Sequence, residues 1–200
     1  MEVRTRIAPS PTGFLHIGTA RAALFNYLAA RRYDGVFLIR FEDTDPARSK
    51  KEFEKNILEG LLWLGMKPDE EPVRQSERGA LYRQYLEKLL EEGKAFYCTH
   101  TKEYLETERK EQMARKEAPR HVCSNRDEKK DTGIIRLKNN ERGAVIVPDI
   151  IRGDIPFEAE NLGDFAIARS LDSALFHFAV VVDDFEMKIT HVTRGEDHIS

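Results

Sequence analysis

The segment Arg6-Ile7-Ala8-Pro9-Ser10-Pro11-Thr12-Gly13-Phe14-Leu15-His16-Ile17-Gly18-Thr19 concentrates residue types that can act on a phosphate. Pro9 and Pro11 fix the backbone, and Gly13 admits a turn that other residues resist. His16, Gly18 and Thr19 fall where a helix begins, and free N–H groups with the positive dipole end attract phosphate there. Gly18 has no side chain, so a ribose or adenine could pack close to the backbone. A histidine so placed can donate a hydrogen bond to a phosphate oxygen as charge builds in a transition state. Aligning an α-phosphate with an incoming carboxylate needs no further nucleophile or metal cluster. The alternative reading is a Pro/Gly loop with a capping histidine.

A second group with chemical potential is the mirrored pair Cys98-Thr99-His100 and His121-Val122-Cys123. Structural zinc takes four tetrahedral N/S ligands, and Cys98, His100, His121 and Cys123 supply that number. The alternative is two buried thiols and two surface histidines.

The elements that must position these groups are legible by period. Residues 3–8 read as a short strand, and 19–32 as a helix with Ala20, Ala23, Leu24, Tyr27 and Leu28 on one face. Residues 36–41 (VFLIRF) read as a strand covered on both faces. Asp45 and Pro46 read as an N-cap and first helical residue of a helix that buries Phe53, Ile57, Leu61 and Leu64 and stops at Gly65. Ser76 reads as the cap of a third helix with Leu81, Tyr85, Leu86 and Leu89 inside, ending at Gly93. This order predicts an α/β fold with a Rossmann-type parallel sheet whose carboxyl edge takes the ligand.

From about residue 94 the pattern changes. Residues 101–117 are charged and helix-prone, with a sparse apolar stripe of Tyr104, Leu105 and Met113. Strands are expected near 134–138, 144–148 and 164–169. The resulting division is 1–93 for the first half of the nucleotide fold, 94–176 for an inserted smaller α+β unit, and 177–200 for a return to the main sheet through strands at 178–182 (FAVVV) and 188–194.

Composition narrows the class without naming a function. The 200 residues are 40% apolar and 34% charged, enough for one domain and an insertion. No run approaches the roughly 18 apolar residues of a membrane span, and no signal peptide opens the chain. Two cysteines are too few for a disulfide scaffold, so a cytoplasmic protein with reduced thiols is expected. A net charge of −3 neither advertises nor excludes a nucleic-acid partner.

The string APSPTGFLHIG resembles the HIGH-type signature of class I aminoacyl-tRNA synthetases in its glutamyl/glutaminyl form. Residues 38–45 (LIRFEDTD), 74–78 (RQSER) and 181–198 (VVDDFEMKITHVTRGEDH) resemble further blocks of that family, in order. The resemblance implies activation of L-glutamate by ATP with Mg2+ and transfer to the 3′ end of tRNA(Glu). The inserted unit would hold the acceptor stem through Lys and Arg to phosphates. Family members are mostly monomers, and no membrane is involved. Competing readings are a paralogue that modifies a tRNA base, a glutamine-specific enzyme, and a non-catalytic tRNA-binding fragment.

Residue by residue, the resemblance gives ATP contacts to Pro9, Thr12, Gly13, His16, Gly18, Thr19, Glu196 and Asp197, with His16, Gly18 and Thr19 as the catalytic set. It gives the amino-acid pocket to Arg6, Ala8, Ser10, Glu42, Phe176 and Arg194. Arg6 and Arg194 would hold carboxylates, since a guanidinium fork matches one bidentately, and Glu42 would hold the ammonium. Read from the residues alone, Arg6 and Glu42 would instead pair with each other. Asp43, Asp45 and Arg48 would approach the tRNA end or cap a helix. Members usually have tyrosine where this chain has Phe176, which removes one donor worth on the order of 1 kcal/mol. Some bacterial members carry zinc on Cys-x-Cys and Cys-x-His. Here His100 replaces the second cysteine and Asn125 stands at the histidine position, which leaves His121 as the fourth ligand. The 200 residues contain no KMSKS-like lysine loop, and a truncated, inactive chain is expected.

Overall fold

The computed structural model describes residues 2–45 and 47–195. They divide into two units, one of residues 1–79 and 179–200 and one of residues 80–178. The second of these units starts at Ala80 and takes in the helix ending at Glu91.

In the first unit β1 (Arg4–Ile7), β2 (Val36–Phe41) and β3 (Val73–Arg74) form a parallel sheet in that order. Helix α1 (Ile17–Arg32) connects the first two strands and α2 (Lys51–Trp63) the second and third. The core joins Ile7, Phe37, Ile39 and Phe41 of the strands to Ala23, Ala30, Ile57, Leu61 and Met66. Five consecutive buried residues in β2 fit a strand covered on both faces.

The inward face of α1 is Ala23, Asn26 and Ala30, while Leu24 and Leu28 are exposed. The expected face is thus rotated, because a polar residue takes the centre. The Asn26 side-chain amide donates to the carbonyls of Ala22 (2.9 Å) and Thr193 (3.2 Å), and Asn26's own carbonyl accepts from the Thr5 hydroxyl at 2.8 Å. One side of a helix thereby satisfies three polar groups that burial would otherwise penalise.

Two expected caps act elsewhere. Helix α2 starts after Lys50, not at Asp45. The Asp45 carboxylate instead accepts from the Ala47 N–H (3.1 Å) and from Arg48 (2.7 Å), closing a tight turn, and Pro46 lies outside the described residues. Ser76 sits in a 3-10 turn (Gln75–Glu77), and its N–H and hydroxyl both donate to Asp43. Gly65 does end α2, at φ 80°, where a side chain would be strained.

The second unit contains α3 (Gly79–Glu91), β4 (Ala95–Cys98), α4 (Lys102–Ala114), β5 (Ile134–Leu137), β6 (Ala144–Asp149), β7 (Gly153–Glu158), β8 (Ala166–Ser170) and β9 (Ser173–Ala174). β4, β5, β8 and β9 pair antiparallel in that order, and β6 and β7 form a separate hairpin.

The run 178–182 is not a strand. It lies in helix α5 (Phe176–Glu186), with Phe178, Ala179, Val180 and Val182 buried and Val181 and Phe185 exposed. A short apolar run cannot separate a buried strand from a buried helix, and burial here follows the helical period. Residues 188–194 form no strand either, although the Thr190 N–H and hydroxyl both donate to the Arg4 carbonyl beside β1 (2.9 and 3.2 Å). Among the described residues no helix is long and apolar enough to cross a membrane.

Candidate functional site

The loop from Ala8 to His16 leaves the carboxyl end of β1 and is held from three sides. The Pro9 carbonyl accepts from the Glu42 N–H (3.1 Å), the Pro11 carbonyl from the Lys50 N–H (3.0 Å), and Asn56 Oδ1 from the Leu15 N–H (2.9 Å). Phe14 packs edge-on against Phe53 of α2 at 5.0 Å. Thr12 N–H closes a turn on the Ser10 carbonyl at 2.8 Å. Gly13 has open space around it and no positive φ, so the backbone demand expected of it is absent in this conformation.

His16 is the N-cap of α1. Its Nδ1 accepts from the Gly18 N–H at 3.2 Å, and its Nε2 lies 3.2 Å from the Thr19 hydroxyl. The capping alternative therefore describes this conformation. The cap holds the ring at the positive end of a sixteen-residue helix, where a phosphate is favoured. A Cβ on Gly18 would lie 3.1 Å from the His16 ring.

Beside this loop the strand ends carry a buried ionic cluster. Arg6 does not pair with Glu42. It binds Asp184 of α5 bidentately, at 3.0 and 2.9 Å. Arg40, 0% exposed, binds Asp184 at 2.6 Å and Glu42 at 3.1 Å. Asp183 belongs to the same cluster: it binds Gln75 (2.9 Å) and Arg78 (2.7 Å) and lies 3.7 Å from Arg40 Nε. Burial pushes the Glu42 carboxyl above its usual range despite Arg40, Arg6 and Arg194. Burial would raise Asp184 as well, but hydrogen bonds and charge from Arg6 and Arg40 outweigh it and hold Asp184 low. Partial burial of its head group, then the charge on Arg6, lower Arg194. Arg6, Arg40, Arg78 and Arg194 thus face Glu42, Asp183 and Asp184, an excess of one positive charge.

The loop and the ends of β2 and β3 also border a cavity of about 760 Å³ lined by Pro11, Asp43, Lys50, Leu58, Arg74 and Ser76, among others. Asp45 and Arg48 pair with each other on the exposed turn after β2. Phe176 opens α5 and is 53% exposed. Glu196 and Asp197 lie outside the described residues.

In the second unit Cys98, His100, His121 and Cys123 converge, with their donor atoms all within 4.8 Å of one another. Cys98 Sγ lies 3.4 Å from His100 Nδ1, 3.7 Å from His121 Nε2 and 3.9 Å from Cys123 Sγ, which is 3.5 Å from His100 Nδ1. A tetrahedron with Zn–S of about 2.3 Å and Zn–N of about 2.05 Å has edges of roughly 3.3–3.8 Å, so the four separations given lie near those edges and the cluster is compatible with a structural zinc. The sulfurs are too far apart for a disulfide, whose S–S bond is about 2.05 Å. Burial, then the neighbouring His121, lowers the His100 imidazole, which favours the neutral ring a metal needs.

The cluster is locked from behind. Buried Asp164 accepts from the Cys123 N–H at 2.9 Å and from the Asn139 N–H at 3.0 Å. Gly133 (φ 130°) and Gly163 (φ 58°) pass so close to the backbone of the cluster that a Cβ would lie 2.5 Å from the Cys98 carbonyl oxygen and 2.7 Å from that of His121. Only glycine tolerates both the conformation and the approach. Asn125 accepts from the Ser124 hydroxyl, and the ligand cluster does not include it.

Residues 2–200 match the family model for the catalytic domain of class I tRNA synthetases of the E and Q types. The chain belongs to that family. The glutamate–tRNA ligase of Carboxydothermus hydrogenoformans is 49% identical over 99% of this chain and 45% of its own length. That of Legionella pneumophila strain Philadelphia 1 is 48% identical over 100% of this chain and 43% of its own. A crystal structure of a glutamate tRNA ligase from Elizabethkingia meningosepticum, in complex with its amino acid, superposes with a TM-score of 0.83 at 37% identity, over 98% of this chain and 44% of that one. This synthetase chain thus spans just under half the length of the relatives it matches.

The family blocks acquire a physical meaning from the geometry. Arg40 lies in β2, Glu42 and Asp43 follow it, Gln75, Ser76 and Arg78 follow β3, and Asp183 and Asp184 lie on α5. Their side chains tie to one another and brace Arg6. Asp184, Arg40 and Asp164 escaped the reading of the sequence as site residues. Only the unusual charge inside the apolar run VFLIRF could have flagged Arg40.

Proposed function

We propose that this chain supplies the amino-acid- and ATP-binding half of a glutamate–tRNA ligase. The observation that carries the reading is the excess of arginine beside the His16 loop, where Arg6 and Arg40 are buried at the strand ends and their charges reach Arg194. An anion relieves that crowding, and the side-chain carboxylate of glutamate is such an anion. Arg194 reads it by a fork-to-carboxylate match, Glu42 takes the ammonium, and Ala8 and Ser10 border the pocket. The α-carboxylate then attacks the ATP α-phosphorus, giving glutamyl-adenylate and pyrophosphate. His16, with Gly18 and Thr19, stabilises charge on the phosphate at the α1 N-terminus, and Pro9, Thr12 and Gly13 line the nucleotide path. The acyl group passes to the 3′ ribose of tRNA(Glu) with release of AMP. Class I synthetases use ATP with Mg2+ in general.

In the same reading the unit 80–178 holds the acceptor stem, and Asp45 and Arg48 meet the tRNA end. Zn2+ held by Cys98 Sγ, His100 Nδ1, His121 Nε2 and Cys123 Sγ closes that unit structurally. The test is glutamate-dependent ATP–pyrophosphate exchange by the full-length gene product with tRNA present. Exchange with glutamate and not glutamine supports the reading, and no exchange with glutamate overturns it.

A further inference from the structure

Helix α4 buries none of its residues fully, yet it is aligned against the cysteine–histidine cluster. Three of its side chains, four residues apart and so on one face, reach the ligand segments. Tyr104 stacks on the His100 ring at 4.4 Å and 19°. Glu108 Oε2 lies 2.7 Å from His121 Nδ1. Gln112 clamps the backbone next to His121, donating to the Arg120 carbonyl at 2.7 Å and accepting from the Arg120 N–H at 2.9 Å.

We infer that α4 is the outer shell of the metal site, with Glu108 as the positioning residue that fixes the tautomer of His121. The inference rests on the zinc reading of the cluster. A neutral imidazole carries one N–H. Donation from Nδ1 to the Glu108 carboxylate places that hydrogen on Nδ1 and leaves the lone pair on Nε2, the nitrogen that faces Cys98 Sγ at 3.7 Å. The two histidines use opposite nitrogens, since His100 presents Nδ1, and they are oriented by different means. His121 is held by a charge-assisted hydrogen bond, His100 by a stacked ring. Outer partners of this kind orient ligands and raise their basicity. The stripe Tyr104, Glu108 and Gln112 thereby links the metal to a helix that has little apolar anchorage of its own.

The test uses the 200-residue chain, with zinc affinity measured by competition with a chromogenic chelator and the ligand field read from the absorption bands of the Co2+ form. E108A is expected to bind zinc roughly 10–100-fold more weakly and to alter the Co2+ bands. E108Q keeps an acceptor for the Nδ1–H and is expected to recover most of the affinity, while K110A on the solvent face leaves it unchanged. Unaltered chain that binds one equivalent, with E108A matching it in affinity and Co2+ spectrum, overturns the inference alone. E108Q falling as far as E108A overturns the tautomer argument. Unaltered chain that takes up no zinc overturns the metal reading and the inference together.

Discussion

The two units solve the same stability problem by different means. In the first, Phe37, Ile39, Phe41, Ile57 and Leu61 bury a continuous core between strands and helices, and charges are added at its rim. The second also buries Leu86, Ile135, Ile167 and Ala168, and it adds a small separate cluster of Phe96, Cys98 and Cys123 where four Cys and His donors converge. A core is built from many replaceable contacts. A ligand cluster depends on a few irreplaceable ones, and its loss is correspondingly local and severe.

The largest expected effect falls on the second unit. Structural zinc contributes about 10–16 kcal/mol of apparent binding free energy in small metal-held domains. Chelation, or C98S, is expected to abolish amide-exchange protection in α4 and β4 and to leave β1 and β2 protected. Equal loss in both units would break the contrast. Next, L61A removes a side chain that is 0% exposed in the first core and should cost about 2–5 kcal/mol, read as a lower urea midpoint with zinc content unchanged. R194A should weaken binding of a glutamyl-adenylate analogue by about tenfold to a hundredfold, the worth of a charged hydrogen bond at roughly 1.5–3 kcal/mol. Binding of the glutaminyl analogue should change far less, and calorimetry with both analogues checks the difference.

Acid sharpens the contrast. Asp184 is held low by Arg6 and Arg40 against burial, so its contribution is present above the unfolded aspartate value of about 3.9 and is lost as pH falls through the lower folded value. Stability of the first unit should therefore decline below about pH 4, and D184N should flatten that limb while lowering stability at neutral pH. Urea titrations from neutral to acid pH test both. The smallest effect is expected from T101A. The Thr101 hydroxyl accepts from the Tyr104 N–H at 3.2 Å, and its loss should cost about 1 kcal/mol, seen as faster exchange confined to the start of α4.

Much of the first unit was legible because a two-sided sheet imposes strong local patterns. β1, β2, α1 and the glycine that ends α2 follow from period and punctuation. The errors share a cause. Asp45 and Ser76 have the chemistry of caps, and Asp45 spends it on a turn while Ser76 donates to Asp43. The run at 178–182 is apolar enough for either a strand or a helix, and its neighbours decided. On α4 the apolar stripe was a poor guide, since Met113 is exposed and the working face is Tyr104, Glu108 and Gln112.

The sequence by itself determined the family blocks and picked out the two cysteines and two histidines that converge, because residue identity and short spacing carry that chemistry. Only the tertiary structure decided the partners. Arg6 binds Asp184, Arg40 is shared between Asp184 and Glu42, and Glu108 backs His121. A charged side chain taken out of water must be paired, and several carboxylates could pair with each arginine. Which one does so is fixed by how strands and helices meet across well over a hundred residues of chain, as between Arg6 and Asp184 (|i−j| = 178). No local pattern records that.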